Sequence, residues 1–158
     1  MIKSRDIRDA LADLVKVKAA LPLKVFFNHV NNSADDYCWI KLVPARRDEG
    51  WGRFQRKIRV IIQVVLAPDG NAEVKHTDLY DIADALDEAT CGYIQIGDRF
   101  ITIYDTEARI FDGILTYEFM LDFTDCIDTA SDAEQYQLMQ ELHMIVNNSV
   151  DWSVTNDE

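Results

Sequence analysis

RIFDGILTYEFMLDFTD, residues 109–125, is the stretch that decides the fold. Leu115, Tyr117, Phe119, Leu121 and Phe123 fall on one face; Thr116, Glu118 and Asp122 fall on the other, with Met120 the exception. Strand side chains point to opposite faces in turn, so a period of two with large apolar residues predicts a half-buried β-strand. Asp112-Gly113 ahead of it predicts a turn or bulge. The stretch also marks a boundary in charge, because Arg109 is the last Lys or Arg of the chain.

Working outward, residues 4–20 read as an amphipathic helix. Ile7, Leu11, Leu14 and Val15 form its stripe, Ser4 is placed to cap it, Asp6 suits its first turn and Pro22 stops it. KVFFNHV, 24–30, and YCWIKLVP, 37–44, read as strands. RKIRVIIQVVLAP, 56–68, is apolar on both faces at its centre, which predicts a central strand covered on both sides. Between the last two, ARRDEGWGRFQ reads as a long hairpin loop projecting from the sheet. A second helix is predicted over 76–90, with Leu79, Ile82, Ala83 and Leu86 inward and Gly92 as its stop. YIQI and DRFITIY then form a tight hairpin around Gly97-Asp98. The order is helix, three strands, helix, three strands. That predicts an α+β domain over residues 1–128: a mostly antiparallel sheet of about five to six strands packed on two helices. Residues 129–158 read as an acidic C-terminal extension, a short helix or strand near 131–145 followed by a tail.

At 158 residues the chain has single-domain length, and 48% of it is hydrophobic, enough for a sizeable core. No apolar run approaches the roughly 20 residues of a membrane span, and the charged start lacks a signal-peptide pattern, so a soluble protein made in a cytoplasm is expected. The three cysteines, Cys38, Cys91 and Cys126, are widely spaced and read as free thiols. The net charge of −12 is uneven: after Arg109 there are eleven acidic residues and no basic one. Such a segment cannot grip phosphates. It suits a basic protein partner, a surface that repels DNA, or a plain solvated edge.

Motifs for phosphate binding, metallohydrolysis and serine nucleophiles are missing, and His29, His76 and His143 share no pattern with the cysteines. No catalytic residue, metal site or cofactor is predicted. One cluster stands out: Arg46, Arg47, Arg53, Arg56, Lys57 and Arg59, interleaved with Trp51 and Phe54. Arginine with aromatics fits a protein interface, a single-stranded nucleic-acid platform, or a charged loop with Trp51 folded back. The matching acidic set is Glu118, Asp122, Asp125, Asp128, Asp132 and Glu134. If copies assemble head to tail, the basic loop of one faces the acidic third of the next.

Residues 1 to about 128 resemble the tail terminator (tail completion) proteins of long-tailed bacteriophages and related phage-like particles. The opening helix, YCWIKLVPARR followed by RKIRVIIQVVL, DLYDIADALDEA and above all DGILTYEFMLDF carry the resemblance, with LMQEL near the end. The resemblance implies a structural virion protein, in the tail or neck and assembled in the bacterial host cytoplasm. It implies a homohexameric ring on the end of the tail tube, which ends tube growth and offers a docking surface to the head connector. DNA passes through such a ring, so the acidic residues are candidates for a lumen wall or for a docking surface. The resemblance brings no catalytic residue, no cofactor and no residue-level binding motif. Two other readings stay open: another neck or head-completion protein, and an acidic DNA-mimic inhibitor of a basic protein. The clustered arginines count against the mimic.

Overall fold

In a computed structural model the chain divides into two units, Met1–Cys126 and Ile127–Glu158. The described residues are 1–27, 35–67 and 76–126, all in the first unit. The predicted element near 131–145, the C-terminal extension, Asp128, Asp132, Glu134, His29 and His143 lie outside the described residues.

The fold is α+β. Helix α1 (Ser4–Asp13) runs into a π-helical turn (Leu14–Lys18), followed by β1 (Lys24–Phe26), β2 (Tyr37–Gly50), β3 (Arg53–Val65), α2 (His76–Thr90), β4 (Tyr93–Ile96), β5 (Arg99–Thr102), β6 (Thr106–Phe111) and β7 (Ile114–Cys126). The main sheet has the order β1-β2-β3-β7-β6, and β4–β5 is a separate two-stranded ribbon. Every pairing is antiparallel except β1 with β2.

The opening stretch is the β6–β7 hairpin. Phe111 pairs with Ile114 around Asp112 (φ +51°) and Gly113 (φ +71°). Positive φ at both central residues is the tight turn whose twist matches its flanking strands. Leu115, Tyr117, Phe119, Leu121 and Phe123 are all buried, and Met120 is exposed. β7 pairs with β3 along its full thirteen residues, from Val65↔Ile114 to Arg53↔Cys126. At ~3.4 Å per residue this makes a two-strand spine about 40 Å long.

The predicted single helix over 4–20 loosens at Leu14, where the hydrogen bonds lengthen to the wider π spacing. Ile7, Leu11, Leu14 and Val15 still reach the core, and each such burial contributes about 2 kcal/mol. Ser4 is the first helical residue instead of the cap. Asp6, as placed, accepts the Lys3 N–H at Oδ2 (2.9 Å). β3 is central, but only one of its faces is fully covered. Ile58, Val60, Ile62 and Val64 are buried against the helices and the β4–β5 ribbon, while Ile61, Gln63 and Val65 are half-buried. Among the described residues the sheet therefore has a packed face and a less covered face, called the open face below.

Two polar knots tie the layers. On β7 the Asp125 side chain is 2% exposed. It accepts the Ile2 N–H at 2.8 Å, and Arg56 (3.7 Å) and Arg99 (3.5 Å) lie beside it. Arg56 also donates to the Ile2 carbonyl at 2.6 Å, and Arg99 to the Thr124 carbonyl at 2.8 Å. At the other knot the Tyr117 hydroxyl donates to Asp87 Oδ1 at 2.7 Å, and the Thr106 hydroxyl donates to the same oxygen at 3.0 Å. The Thr90 hydroxyl lies 2.7 Å from the phenol. Burial, aided by Asp87, pushes the Tyr117 phenol up to about 12, and burial pushes the Cys38 thiol up to about 12.

Removing the Asp125 carboxylate leaves the largely buried Arg56 without its anion and the Ile2 N–H without its acceptor. Asp125→Ala is expected to lower stability by about 3 kcal/mol in urea denaturation. Both raised groups are acids that the fold keeps neutral. Their contribution is whole below the unfolded values, 9.0 for Cys38 and 10.0 for Tyr117, and is lost as pH rises toward 12. Stability measured against pH is expected to fall from pH 9 upward. Tyr117→Phe is expected to lose about 1.5 kcal/mol at neutral pH and to flatten the part of that fall above pH 10.

Candidate interaction surface

The projecting loop expected at ARRDEGWGRFQ is paired strand. β2 and β3 stay in register from Tyr37↔Val65 to Asp48↔Phe54, slip by one residue at Glu49, and close with Gly50↔Arg53. Trp51 (φ +55°) and Gly52 (φ +71°) are the two central residues of the turn. Arginine and lysine suit a strand when their side chains face water, so a dense charge run is compatible with pairing. β3 also keeps β7 beside it up to Arg53, which makes the turn the end of the sheet.

Strand pairing splits the basic cluster between two faces. Arg46, Phe54 and Arg56 lie on the packed side; Arg47, Arg53, Lys57 and Arg59 lie on the open side. Phe54 is buried, with the Arg46 guanidinium 4.0 Å above its ring, so it supports the surface from beneath. Arg56 is committed to Asp125 and Ile2. These two leave the exposed set for the same reason: each points into the fold. Trp51, by contrast, is 99% exposed.

The acidic candidates divide likewise. Glu118 and Asp122 are on the open face, half-buried, while Asp125 is on the packed face, so its charge is not part of an exposed acidic surface. Asp122 meets Lys57 at 3.2 Å and accepts from Gln55 at 2.7 Å. Basic and acidic segments that the sequence suggested would meet between copies thus meet within one sheet at two points, Lys57–Asp122 and Arg56–Asp125. Among the described residues no carboxylate lies within 4 Å of Arg47, Arg53 or Arg59.

Several exposed apolar residues escaped the sequence reading: Phe111, Tyr104 and Phe100 are 83%, 81% and 62% exposed. Phe111 could have been found, because a period of two puts it on the face of Glu107 and Arg109. Two grooves flank α1. One, of about 560 Å³, lies between Met1–Ser4 and the hairpin at Pro44, Arg46 and Arg56. The other, of about 510 Å³, lies between α1 and β4. Among the described residues no three His, Cys, Asp or Glu side chains are grouped to hold a metal ion. Cys38 is buried; Cys91 and Cys126 are exposed. No helix among them is long and apolar enough to cross a membrane.

The model of the family described as "Phage tail terminator protein" matches residues 6–133. No curated protein matches the chain. One of the solved structures that do match is 17% identical, covers 83% of this chain and 100% of its own, and overlaps at a TM-score of 0.42.

The geometry separates anchor from support. Trp51→Ser is expected to change stability by no more than about 0.5 kcal/mol, whereas Phe54→Ala is expected to lower it by about 3 kcal/mol, both read from urea midpoints.

Proposed function

This chain belongs to the phage tail terminator family and is a structural protein of the phage tail; from that premise we propose that it closes the tail tube as a ring. Six copies sit on the end of the tube, end its polymerisation, and present the surface to which the head connector or neck protein docks. The observation that carries this reading is the family match over residues 6–133. Assembly takes place in the bacterial host cytoplasm.

The exposed members of the basic cluster, Arg46, Arg47, Trp51, Arg53, Lys57 and Arg59, are the contact surface in this reading. Tryptophan and arginine make good anchors because both bring large, stiff contact area with polar ends. The acidic residues left for a lumen wall or docking surface are Glu118, Asp122, Asp128, Asp132 and Glu134. A negative wall keeps DNA from sticking as it passes, since phosphate binding draws on cations. No nucleic acid is bound specifically and no cofactor takes part. The DNA-mimic reading loses support, because a mimic needs carboxylates free to meet a basic groove and Asp122 and Asp125 face cations of their own chain.

Native mass spectrometry over a range of protein and salt concentrations tests the ring. A six-fold species is expected. It should weaken as salt rises, because its charged contacts are screened. Added to growing tail tubes, the protein is expected to hold them at uniform length in electron micrographs. A chain that stays monomeric in solution and leaves tubes growing overturns the proposal.

A further inference from the structure

We propose that the Trp51 turn of one copy docks in the groove between α1 and β4 of a second copy. This inference rests on the ring reading and names the two surfaces that would meet.

The groove has an apolar floor and an acidic side. Leu14 and Ile94 are buried at its base, and Val17, 71% exposed, stands at its margin. Asp6, Asp9 and Asp13 line one wall, spaced three and four apart so that they share one stripe of α1. Asp9 has one cation near it, Arg5 at 3.8 Å, and both side chains are well exposed. Asp13 has no cation within 4 Å among the described residues. Lys18 also lines the groove, but its ammonium is held over the Tyr93 ring at 5.2 Å and lies 3.4 Å from the Tyr93 carbonyl oxygen. At about 510 Å³ the groove is large enough to receive an indole.

Trp51, at the hairpin end, offers an apolar ring and an N–H donor. On the open face Arg47 and Arg53 flank it, and among the described residues neither has a carboxylate within 4 Å. Of the two carboxylates at this end, Asp48 falls on the opposite face and accepts the Gly50 N–H at 3.1 Å, and Glu49 sits at the register slip, so the complementarity with the aspartates of α1 is carried by the open face alone. At 99% exposure Trp51 is not in the groove of its own chain, so its occupant role falls to another copy. The turn is pre-shaped by positive φ at Gly50, Trp51 and Gly52, so little backbone freedom is lost on docking. Donor and acceptor are different surfaces of the same molecule. A contact of that kind repeats from copy to copy and closes a ring when the rotation allows.

Charge reversal tests the pairing. Arg47→Glu with Arg53→Glu is expected to weaken assembly about tenfold or more, and Asp9→Lys with Asp13→Lys to do the same. All four together are expected to restore it, since both partners are reversed in every copy. All these positions are exposed, and unchanged thermal unfolding confirms intact folds. A photo-crosslinking residue in place of Trp51 gives an independent reading. It should capture residues 6–18 or 93–97 of a second copy, located by mass spectrometry. If the unaltered chain forms rings but the α1 reversal leaves them unchanged, or the crosslinks fall elsewhere, this docking is wrong and the ring stands. If the unaltered chain forms no ring alone or on tail tubes, both fall.

Discussion

A carboxylate buried from water must be surrounded by donors and positive charge, or the fold loses more than it gains by burying it. Asp125 meets this condition by drawing together parts of the chain far apart in sequence: the Ile2 amide, Arg56 on β3 and Arg99 on β5. Through Ile2 it sets where α1 begins. Through Arg56 it ties down the turn end of the β2–β3 hairpin, and through Arg99 it holds the β4–β5 ribbon against the end of β7. Of the two grooves beside α1, the one bounded by Met1–Ser4 and the hairpin has Arg56 of this knot in its wall.

The sheet built on that knot packs one face and leaves the other open. Such a strand segregates its side chains by parity alone, and here parity sorts function. Even-numbered residues of β3 and odd-numbered residues of β7 make the core. Their neighbours carry Lys57, Arg59, Glu118 and Asp122 toward the outside. Partial neutralisation across β3 and β7 leaves a surface of mixed sign, on which Arg47, Arg53 and Arg59 have no carboxylate within 4 Å among the described residues.

The fold was largely legible, because the alternation in β7 and the helical stripes of Ile7–Val15 and Leu79–Leu86 are strong local signals. What escaped was tertiary. The hairpin read as a loop because Arg46, Arg47, Asp48 and Glu49 form an unbroken polar run, and a strand exposed on both faces has no apolar alternation to betray it. Phe54 and Ile58 carried the right spacing, yet two residues are too few against that background. Asp125 read as one acid among several, since nothing in FTDCID says which carboxylate turns inward. Its partners are 26, 69 and 123 residues away. A second covered face for β3 was inferred from Ile61 and Val65, which are apolar but only half-buried.

β1 covers only Tyr37–Trp39 of β2, so among the described residues the edge of that strand has no partner strand from Ile40 to the turn. An edge this long is a template for runaway growth, in which strand after strand adds through backbone hydrogen bonds and the product is a fibre. Pro44 interrupts it with a residue that has no N–H to give, and the charged run of Arg46, Arg47, Asp48 and Glu49 beyond it keeps its side chains in water. An edge blunted in this way resists backbone pairing, and any ordered contact it makes must be made by side chains. That difference separates an assembly of fixed size from a fibre that does not know when to stop.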